Sequence, residues 1–385
     1  MLLEFTAEQE ELRAFVREVF DQRIDKVALR EADDKKIFPQ QYWDVLTEAG
    51  LHGMAVPKEY GGMSGSFMDQ VIVEEELGRV VGGQATVWSI NTHTATVIDR
   101  HGSQAQKDHI LPKLANGELR IALSFTEPGG GTDLLGALKT HAERRNGGGW
   151  VINGSKVYTT MADDSQLFAV LARTSVREKK NQGLTVFLVD ADRKGLEWTR
   201  MPTLGQAPIG TFSVYYTDVE ARDDEVLGEP DNGWACLMES INHERIIIAA
   251  CCTGTIKGVI DRVVPYAKER HAFGKPIGQF QSIQHFIADM EVSYHAARLL
   301  TYRAAGLAMA GKRFDVESAA AKLFASEACS RACDMGIQIL GGAGYVKDYE
   351  IERFWRDTRI MRIGPISNEM VRNIVAEQLG LPRSF

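Results

Sequence analysis

The chain has 385 residues, of which 44% are hydrophobic and 25% charged, the usual balance of a folded protein with a sizeable core and two or three domains. Its formal net charge of -8 at pH 7 argues against nucleic acid or an anionic membrane as the main partner. No run of about 18 apolar residues, the length a membrane helix needs, is present, and the acidic start is unlike a signal or transit peptide.

Residues 1–120 are predicted to form a helical N-terminal domain. Thr6 and Gln9 have the pattern of a capping box, and apolar residues follow them at helical spacing. Residues 40–50, QQYWDVLTEAG, end in Gly50 as a helix C-cap, and residues 68–80, MDQVIVEEELGRV, indicate a further amphipathic helix.

Residues 121–230 are predicted to form a middle β domain. Its candidate strands are short β-rich runs between turns, and Asn153-Gly154 is a hairpin signal. These runs are GWVINGSKVYTT, LFAVLAR, LTVFLVD and GTFSVYYTDVE. Residues 231–385 then predict a C-terminal domain with three long helices, at residues 233–270, 280–309 and 317–340. Helices, strands and helices in this order favour the α+β class with three domains.

The cysteines of the C-terminal part lie mostly in helical patterns. They show neither the CxxC spacing of a zinc site nor the framework of a secreted disulfide protein. The five are Cys236, Cys251, Cys252, Cys329 and Cys333. We therefore expect a cytoplasmic protein without a metal site.

Three stretches have residues that could contact a ligand. Residues 121–133, IALSFTEPGGGTD, place three glycines where the backbone can approach a flat or phosphorylated molecule, although they do not form a GxGxxG fingerprint. Residues 338–345, QILGGAGY, follow a long helix, and Arg270 and Phe273 occupy a turn between two helices. Taken one at a time, each has a simpler interpretation: a tight turn for residues 121–133, a helix C-cap for residues 338–345 and a surface ion pair for Arg270.

Glu244, in the segment ESINHERIIIAACC, raises a separate question. Ile241 precedes it by three residues, and Ile247, Ile248 and Cys251 follow at three, four and seven, so one helical face carries a carboxylate among hydrophobes. Burying an ionised carboxylate without a partner is costly.

In combination, the motifs resemble the acyl-CoA dehydrogenase family over essentially the whole chain. Residues 101–118, HGSQAQKDHILPKLANGE, match the stretch that precedes the TEPG motif of that family. The motifs in chain order are TEPGGGTD, NGSKVYTT, TDVEARDDEVLGEPDNGW, RHAFGKPIGQFQ, QILGGAGY and RFWRDTRI.

The resemblance implies a helical N-terminal domain, a middle β domain and a C-terminal four-helix bundle, in a homodimer or homotetramer. It implies FAD between the middle and C-terminal domains, with Arg270, Phe273, Gln338, Gly341 and Gly342 reaching the FAD of the neighbouring subunit. The other FAD contacts it implies are Phe125, Thr126, Thr132, Tyr158 (where the family usually has Trp), Thr160 near flavin N5, Ser367 and Glu369.

The resemblance also bears on the base that removes the substrate α proton. In many members this base is a glutamate soon after the RDxR motif, but ungapped alignment from Arg356 puts Gly364 and Pro365 where the family has Tyr and Glu. A minority, which includes isovaleryl-CoA and long-chain acyl-CoA dehydrogenases, carries the base on the first long C-terminal helix, in a sequence like HERIIIA. Glu244 is the matching residue. The alternative is that Glu244 lies at the edge of the core and pairs with Arg245 or His243. Adjacent side chains on a helix point about 100° apart, which disfavours this pairing.

The implied reaction is FAD-dependent α,β-dehydrogenation of an acyl-CoA thioester, as in fatty acid or amino acid catabolism. Glu244 would take the α proton, flavin N5 the β hydride, and an electron-transfer flavoprotein the electrons. The implied substrate pocket contains Thr132, Ile241, Arg245 and Gly364. Three alternatives stay open: a reductase of the crotonobetainyl-CoA reductase type, which NHER and PISNEM resemble, a flavin oxidase or monooxygenase, and a flavin-free binding protein.

Overall fold

The computed structural model describes residues 5–382, apart from the side chain of Glu239. Six α-helices come first, and the first begins at the capping box of Thr6 and Gln9, as predicted. They are α1 Ala7–Arg23, α2 Lys26–Lys35, α3 Gln40–Glu48, α4 Phe67–Val81, α5 Thr86–His101 and α6 Gln104–Ala115. Gly50 follows α3 with a left-handed φ of 70°, the conformation expected of a glycine that ends a helix.

Helix α4 lacks the exposed polar face that the predicted amphipathic helix would have. Every residue from Val71 to Val81 is buried, including Glu74, Glu75 and Glu76. An arginine from another segment pairs with two of these glutamates. Arg13 donates to Glu75 Oε2 at 2.8 Å and to Glu76 Oε1 at 3.1 Å. A sequence pattern that counts glutamate as solvent-exposed cannot anticipate such pairing.

Eight strands form the central sheet, in the order β6-β7-β3-β2-β4-β5-β8, with β1 parallel to β4. They are β1 Ile121–Ser124, β2 His141–Arg144, β3 Trp150–Thr160, β4 Leu167–Arg173, β5 Leu184–Asp190, β6 Leu196–Arg200, β7 Thr211–Ala221 and β8 Val226–Leu227. The four-residue helix α7, Leu134–Ala137, lies between β1 and β2.

The predicted turn at Asn153-Gly154 is wrong, because both residues lie inside strand β3. Their pairing with β7 shifts register between Ile152 and Gly154, which is a β-bulge. Gly154 has a φ of 152°, and a Cβ there would lie 2.4 Å from Thr140 Oγ1. The glycine therefore serves a close approach of two backbone segments.

The C-terminal third contains the three long helices that the sequence predicts. They are α8 Gly233–Glu269, α9 Gln281–Met309 and α10 Asp315–Leu340, and the short strands β9 His271–Ala272 and β10 Lys275–Pro276 join α8 to α9. The last helices are α11 Gly342–Tyr345, α12 Ile351–Thr358 and α13 Asn368–Gln378. Helix α13 packs on α10 and completes a four-helix bundle with α8 and α9. Within residues 5–382, no helix is both long and apolar enough to cross a bilayer.

Glycines set the position of α8 against α4. A Cβ at Gly254 of α8 would lie 1.8 Å from the Glu75 carbonyl oxygen, and a Cβ at Gly78 of α4 would lie 2.4 Å from the Cys251 carbonyl oxygen. Only glycine fits at both points, so the two backbones touch. This crossing, in the largest hydrophobic core, fixes α8 two to three turns after Glu244.

Candidate active site

Glu244 lies on α8 one turn before a fully apolar stretch. Its side chain is half-buried, as is Ile241 one turn earlier, whereas Ile247 and Ile248 are buried. The alternative, in which Glu244 pairs with Arg245, is not seen: Arg245 Nη1 donates to Asn242 Oδ1 at 2.7 Å instead.

The surroundings of Glu244 favour its neutral form. Burial raises the pKa of Glu244 to about 7, while the positive charge of Arg245 acts in the opposite direction. A carboxyl group with a pKa near the working pH can both accept and release a proton, as a general base must.

Arg245 is a buried cation beside this carboxyl group. Its Nε has no hydrogen-bond partner among residues 5–382. Burial lowers the pKa of Arg245, against the attraction of Glu244 and Asp315. Because an unpaired buried donor is costly, this Nε is suited to contact a polar group of a ligand.

The segment that follows α12 brings Gly364, Ser367 and Glu369 to the surface of the C-terminal bundle. Lys322, buried on α10, donates to the Ile366 carbonyl oxygen at 2.7 Å and to Asn368 Oδ1 at 2.8 Å, and so fixes the segment. Ser367 caps α13, and Glu369 is exposed. A Cβ at Gly364 would meet no atom within 4 Å, so this position borders open space.

The loop after β1 is held by an ion pair that the sequence analysis missed. Lys156 is fully buried, and its Nζ donates to Glu127 Oε1 at 2.9 Å and to the Phe125 carbonyl oxygen at 3.0 Å. Burial lowers the pKa of Lys156 to about 8, although Glu127 counteracts this effect. The Thr126 carbonyl oxygen accepts from the Val157 N–H.

Tyr158 and Thr160 end strand β3 beside this loop. Tyr158 is 63% exposed and has a φ of 60°, a left-handed conformation that bulky residues rarely adopt. Thr160 is half-buried, and Thr132, in the glycine-rich part of the loop, is exposed. Strained backbone at an exposed aromatic residue is common where a ligand is clamped.

A second group of predicted cofactor residues lies at the ends of α8 and α10. Phe273 is 96% exposed with a φ of 51°, and Arg270 and Gln338 are also exposed. A Cβ at Gly341 or Gly342 would meet nothing within 4 Å. An exposed aromatic ring, a guanidinium group and open backbone suit a flat, phosphorylated cofactor such as FAD.

A cavity of about 240 Å³ lies between α8, α5 and the first turn of α4. Ser240, His243 and Ile247 of α8 line it. Glu244 is not one of the lining residues, but it follows His243 in sequence and lies one turn from Ser240 and Ile247 on the same face of the helix. Its other wall is the polar side of α5, which the sequence analysis did not identify. The signal was present in residues 89–96, SINTHTAT, since so many polar residues are unusual on a buried helix.

Comparison with known proteins identifies the family. The family models "Acyl-CoA dehydrogenase, N-terminal domain", "middle domain" and "C-terminal domain" match residues 6–118, 122–219 and 231–380. A 3-(aryl)acrylate reductase of Clostridium sporogenes is 34% identical, with 97% of this chain and 99% of the relative covered. The caffeyl-CoA reductase-Etf complex subunit CarC of Acetobacterium woodii is 31% identical, with 97% and 99% covered.

Solved structures agree with this result. Butyryl-CoA dehydrogenase from Megasphaera elsdenii superposes with a TM-score of 0.92 at 30% identity, covering 99% of this chain and 100% of that one. The FAD complex of PigA superposes with a TM-score of 0.91 at 26% identity, covering 99% and 100%. The chain therefore belongs to the acyl-CoA dehydrogenase family and is an FAD-dependent oxidoreductase that acts on CH–CH groups.

Proposed function

We propose that this protein catalyses the α,β-dehydrogenation of an acyl-CoA thioester, with Glu244 as the base that removes the α proton. One observation supports this most: Glu244 is half-buried beside a cavity, and burial raises its pKa to about 7. A carboxyl group on an apolar helix face has no packing role there that an aliphatic residue would not serve better.

The residues around Glu244 account for its part in the reaction. The acyl chain lies in the cavity between α5 and α8, so that its α carbon faces a Glu244 oxygen. The low polarity that raises the pKa of Glu244 also strengthens its affinity for the proton it accepts. The Arg245 guanidinium group keeps Glu244 partly ionised near neutral pH and offers its unpaired Nε to the ligand. FAD, when bound, supplies the acceptor for the β hydrogen, which leaves as hydride.

Glu369 is not the base in this proposal, although it is the carboxylate nearest to Pro365 in sequence. Its side chain is exposed, in the first turn of α13. We assign Glu369 and Ser367 to FAD contacts.

We infer that FAD lies against the loop of Phe125, Thr126 and Thr132 and the end of β3, at Tyr158 and Thr160. The exposed group of Arg270, Phe273, Gln338, Gly341 and Gly342 reaches the FAD of a neighbouring subunit in a homodimer or homotetramer. Residues 1–120, 121–230 and 231–385 form the three domains of each subunit. An electron-transfer flavoprotein accepts the electrons, in line with the relative whose name includes an Etf complex.

Reduction of an enoyl-CoA is the second candidate, because both of the relatives described above are named reductases. The same residues serve both directions, since a protonated Glu244 can return the α proton. Two measurements distinguish dehydrogenation from reduction. One is the reduction potential of the bound flavin in the presence of acyl-CoA and enoyl-CoA, and the other is the identity of the partner that exchanges electrons with the flavin.

The proposal is tested by anaerobic titration of the purified, FAD-loaded protein with a series of acyl-CoA thioesters. Bleaching of the flavin absorption band by at least one of them is expected. If none bleaches it, and the corresponding enoyl-CoA thioesters do not reoxidise the chemically reduced protein, the proposed function is wrong.

Substrate shape gives a first quantitative prediction. Because space near Gly364 is open, we expect branched acyl groups to be accepted, and Gly364→Tyr to lower kcat/KM for isovaleryl-CoA about tenfold more than for butyryl-CoA. Steady-state kinetics with both substrates measure this difference. Gly364→Ala is the control, since one methyl group fits the open space. Equal losses on both substrates in Gly364→Tyr would show that Gly364 does not border the acyl site.

A further inference from the structure

The cavity beside Glu244 has a wall that is unusually polar for a site receiving a hydrocarbon. Phe67, Trp88 and Ile247 supply apolar surface, but hydroxyl, amide, imidazole and charged groups share the lining. The polar lining residues are Gln70, Ser89, Thr92, His93, Thr96, Asp99, Arg100, Ser240 and His243. The hydroxyl groups of Ser89, Thr92, Thr96 and Ser240 already donate to carbonyl oxygens of their own helices. The His93 ring, in contrast, makes no hydrogen bond within residues 5–382, and a purely aliphatic acyl chain would cover it without giving it one, which is costly.

The cavity follows α5 inward from the surface. Arg100 at one end is exposed, whereas Trp88 at the other is fully buried. Between these ends, His93 projects from α5 into the same cavity that receives His243 from α8. The His243 ring is held edge-on against Phe67, at 4.6 Å between ring centroids, and Phe314, at 5.1 Å. These contacts fix the imidazole that faces His93.

His93 is neutral in this position. Burial lowers the pKa of His93 to about 4, and the nearby His243 and Arg100 act in the same direction. A neutral imidazole can donate from one ring nitrogen and accept at the other, so it can bind an uncharged hydroxyl or carbonyl group. It gives an anionic group no attractive charge, and Asp99 at the outer end of the cavity pairs with Lys107 at 3.8 Å.

We propose that His93 is a specificity-determining residue, and that it selects acyl groups carrying an uncharged hydroxyl or carbonyl group a few carbons beyond the thioester. This inference rests on the proposed function, because it takes the cavity beside Glu244 as the acyl site. The cavity volume is consistent with such a substrate. About 240 Å³ holds roughly eight water-sized groups at ~30 Å³ each, which corresponds to a short acyl chain with a substituent.

The test compares butanoyl-, pentanoyl- and hexanoyl-CoA with their ω-hydroxy counterparts. Dissociation constants from isothermal titration calorimetry and kcat/KM for anaerobic flavin reduction are measured for wild type, His93→Leu and His93→Gln. In wild type, at least one hydroxylated substrate should be preferred about tenfold, the effect of one good hydrogen bond. His93→Leu should abolish the preference, and His93→Gln, which keeps a donor and an acceptor, should retain part of it.

The inference is overturned if wild type prefers the hydroxylated member at none of the three lengths, or if His93→Leu keeps the preference. Its failure can be told apart from failure of the proposed function. Flavin reduction without a hydroxyl preference contradicts the role of His93 alone. A calorimetric preference that depends on His93, without flavin reduction by any substrate, supports the role of His93 and contradicts the proposed reaction.

Discussion

Glu244→Gln should fold and retain FAD but reduce its flavin with acyl-CoA about 10²- to 10⁴-fold more slowly than wild type, the usual effect of losing a general base. The amide has nearly the same shape as the carboxyl group but cannot accept the α proton. Stopped-flow absorbance under anaerobic conditions measures the rate of flavin reduction directly. Thermal unfolding and the flavin spectrum establish that the variant is intact.

Glu369→Gln is the matched control for this prediction. It makes the same chemical change in a carboxyl group that is exposed at the start of α13. Its rate of flavin reduction should stay near that of wild type, with any effect confined to FAD affinity. A large loss of rate in Glu369→Gln, together with normal flavin reduction in Glu244→Gln, would show that Glu369 is the base and Glu244 is not.

Lys156→Met should destabilise the protein by about 3–5 kcal/mol, because removing one partner of a buried ion pair leaves the other charge uncompensated. Glu127 is 5% exposed and would keep only its bonds from the N–H groups of Lys139 and Thr140. The Phe125 carbonyl oxygen would also lose its donor. Denaturant unfolding of the variant and wild type measures the difference in free energy of unfolding.

Lys139→Met is a suitable control for the ion-pair prediction, since Lys139 lies in the same region but its side chain is exposed. Its bond to Glu127 comes from the backbone and survives the change. We expect a change within about 0.5 kcal/mol, as for most surface substitutions. A loss below 1 kcal/mol in Lys156→Met would mean that the ion pair does not organise the loop.

The sequence predicted the three long C-terminal helices and the position of Glu244 because both depend on local periodicity. A repeat of apolar residues at helical spacing made the carboxyl group at position 244 conspicuous. The family resemblance then predicted that it acts as the base. What the structure adds is its half-burial and a neighbouring cavity, which depend on the packing of α8 against α4 and α5.

The wrong or missing predictions have one physical cause: they concern residues whose partners are far away along the chain. Glu75 and Glu76 of α4 are buried because arginines more than fifty residues away along the chain pair with them. Likewise, Gly154 is required by the approach of Thr140, and not by a turn. Lys156 was not singled out, since its partner Glu127 is 29 residues away and only the folded sheet brings the two together.

The most direct test of the central claim is the pH dependence of kcat/KM for anaerobic flavin reduction. The active form of Glu244 is the carboxylate, and burial raises its pKa to about 7. Activity should therefore be low at pH 5.5, rise about tenfold per pH unit below the pKa, and level off above about pH 7. A plateau that already holds at pH 5.5, as for a carboxylate with an unshifted pKa, would contradict the assignment of Glu244 as the base.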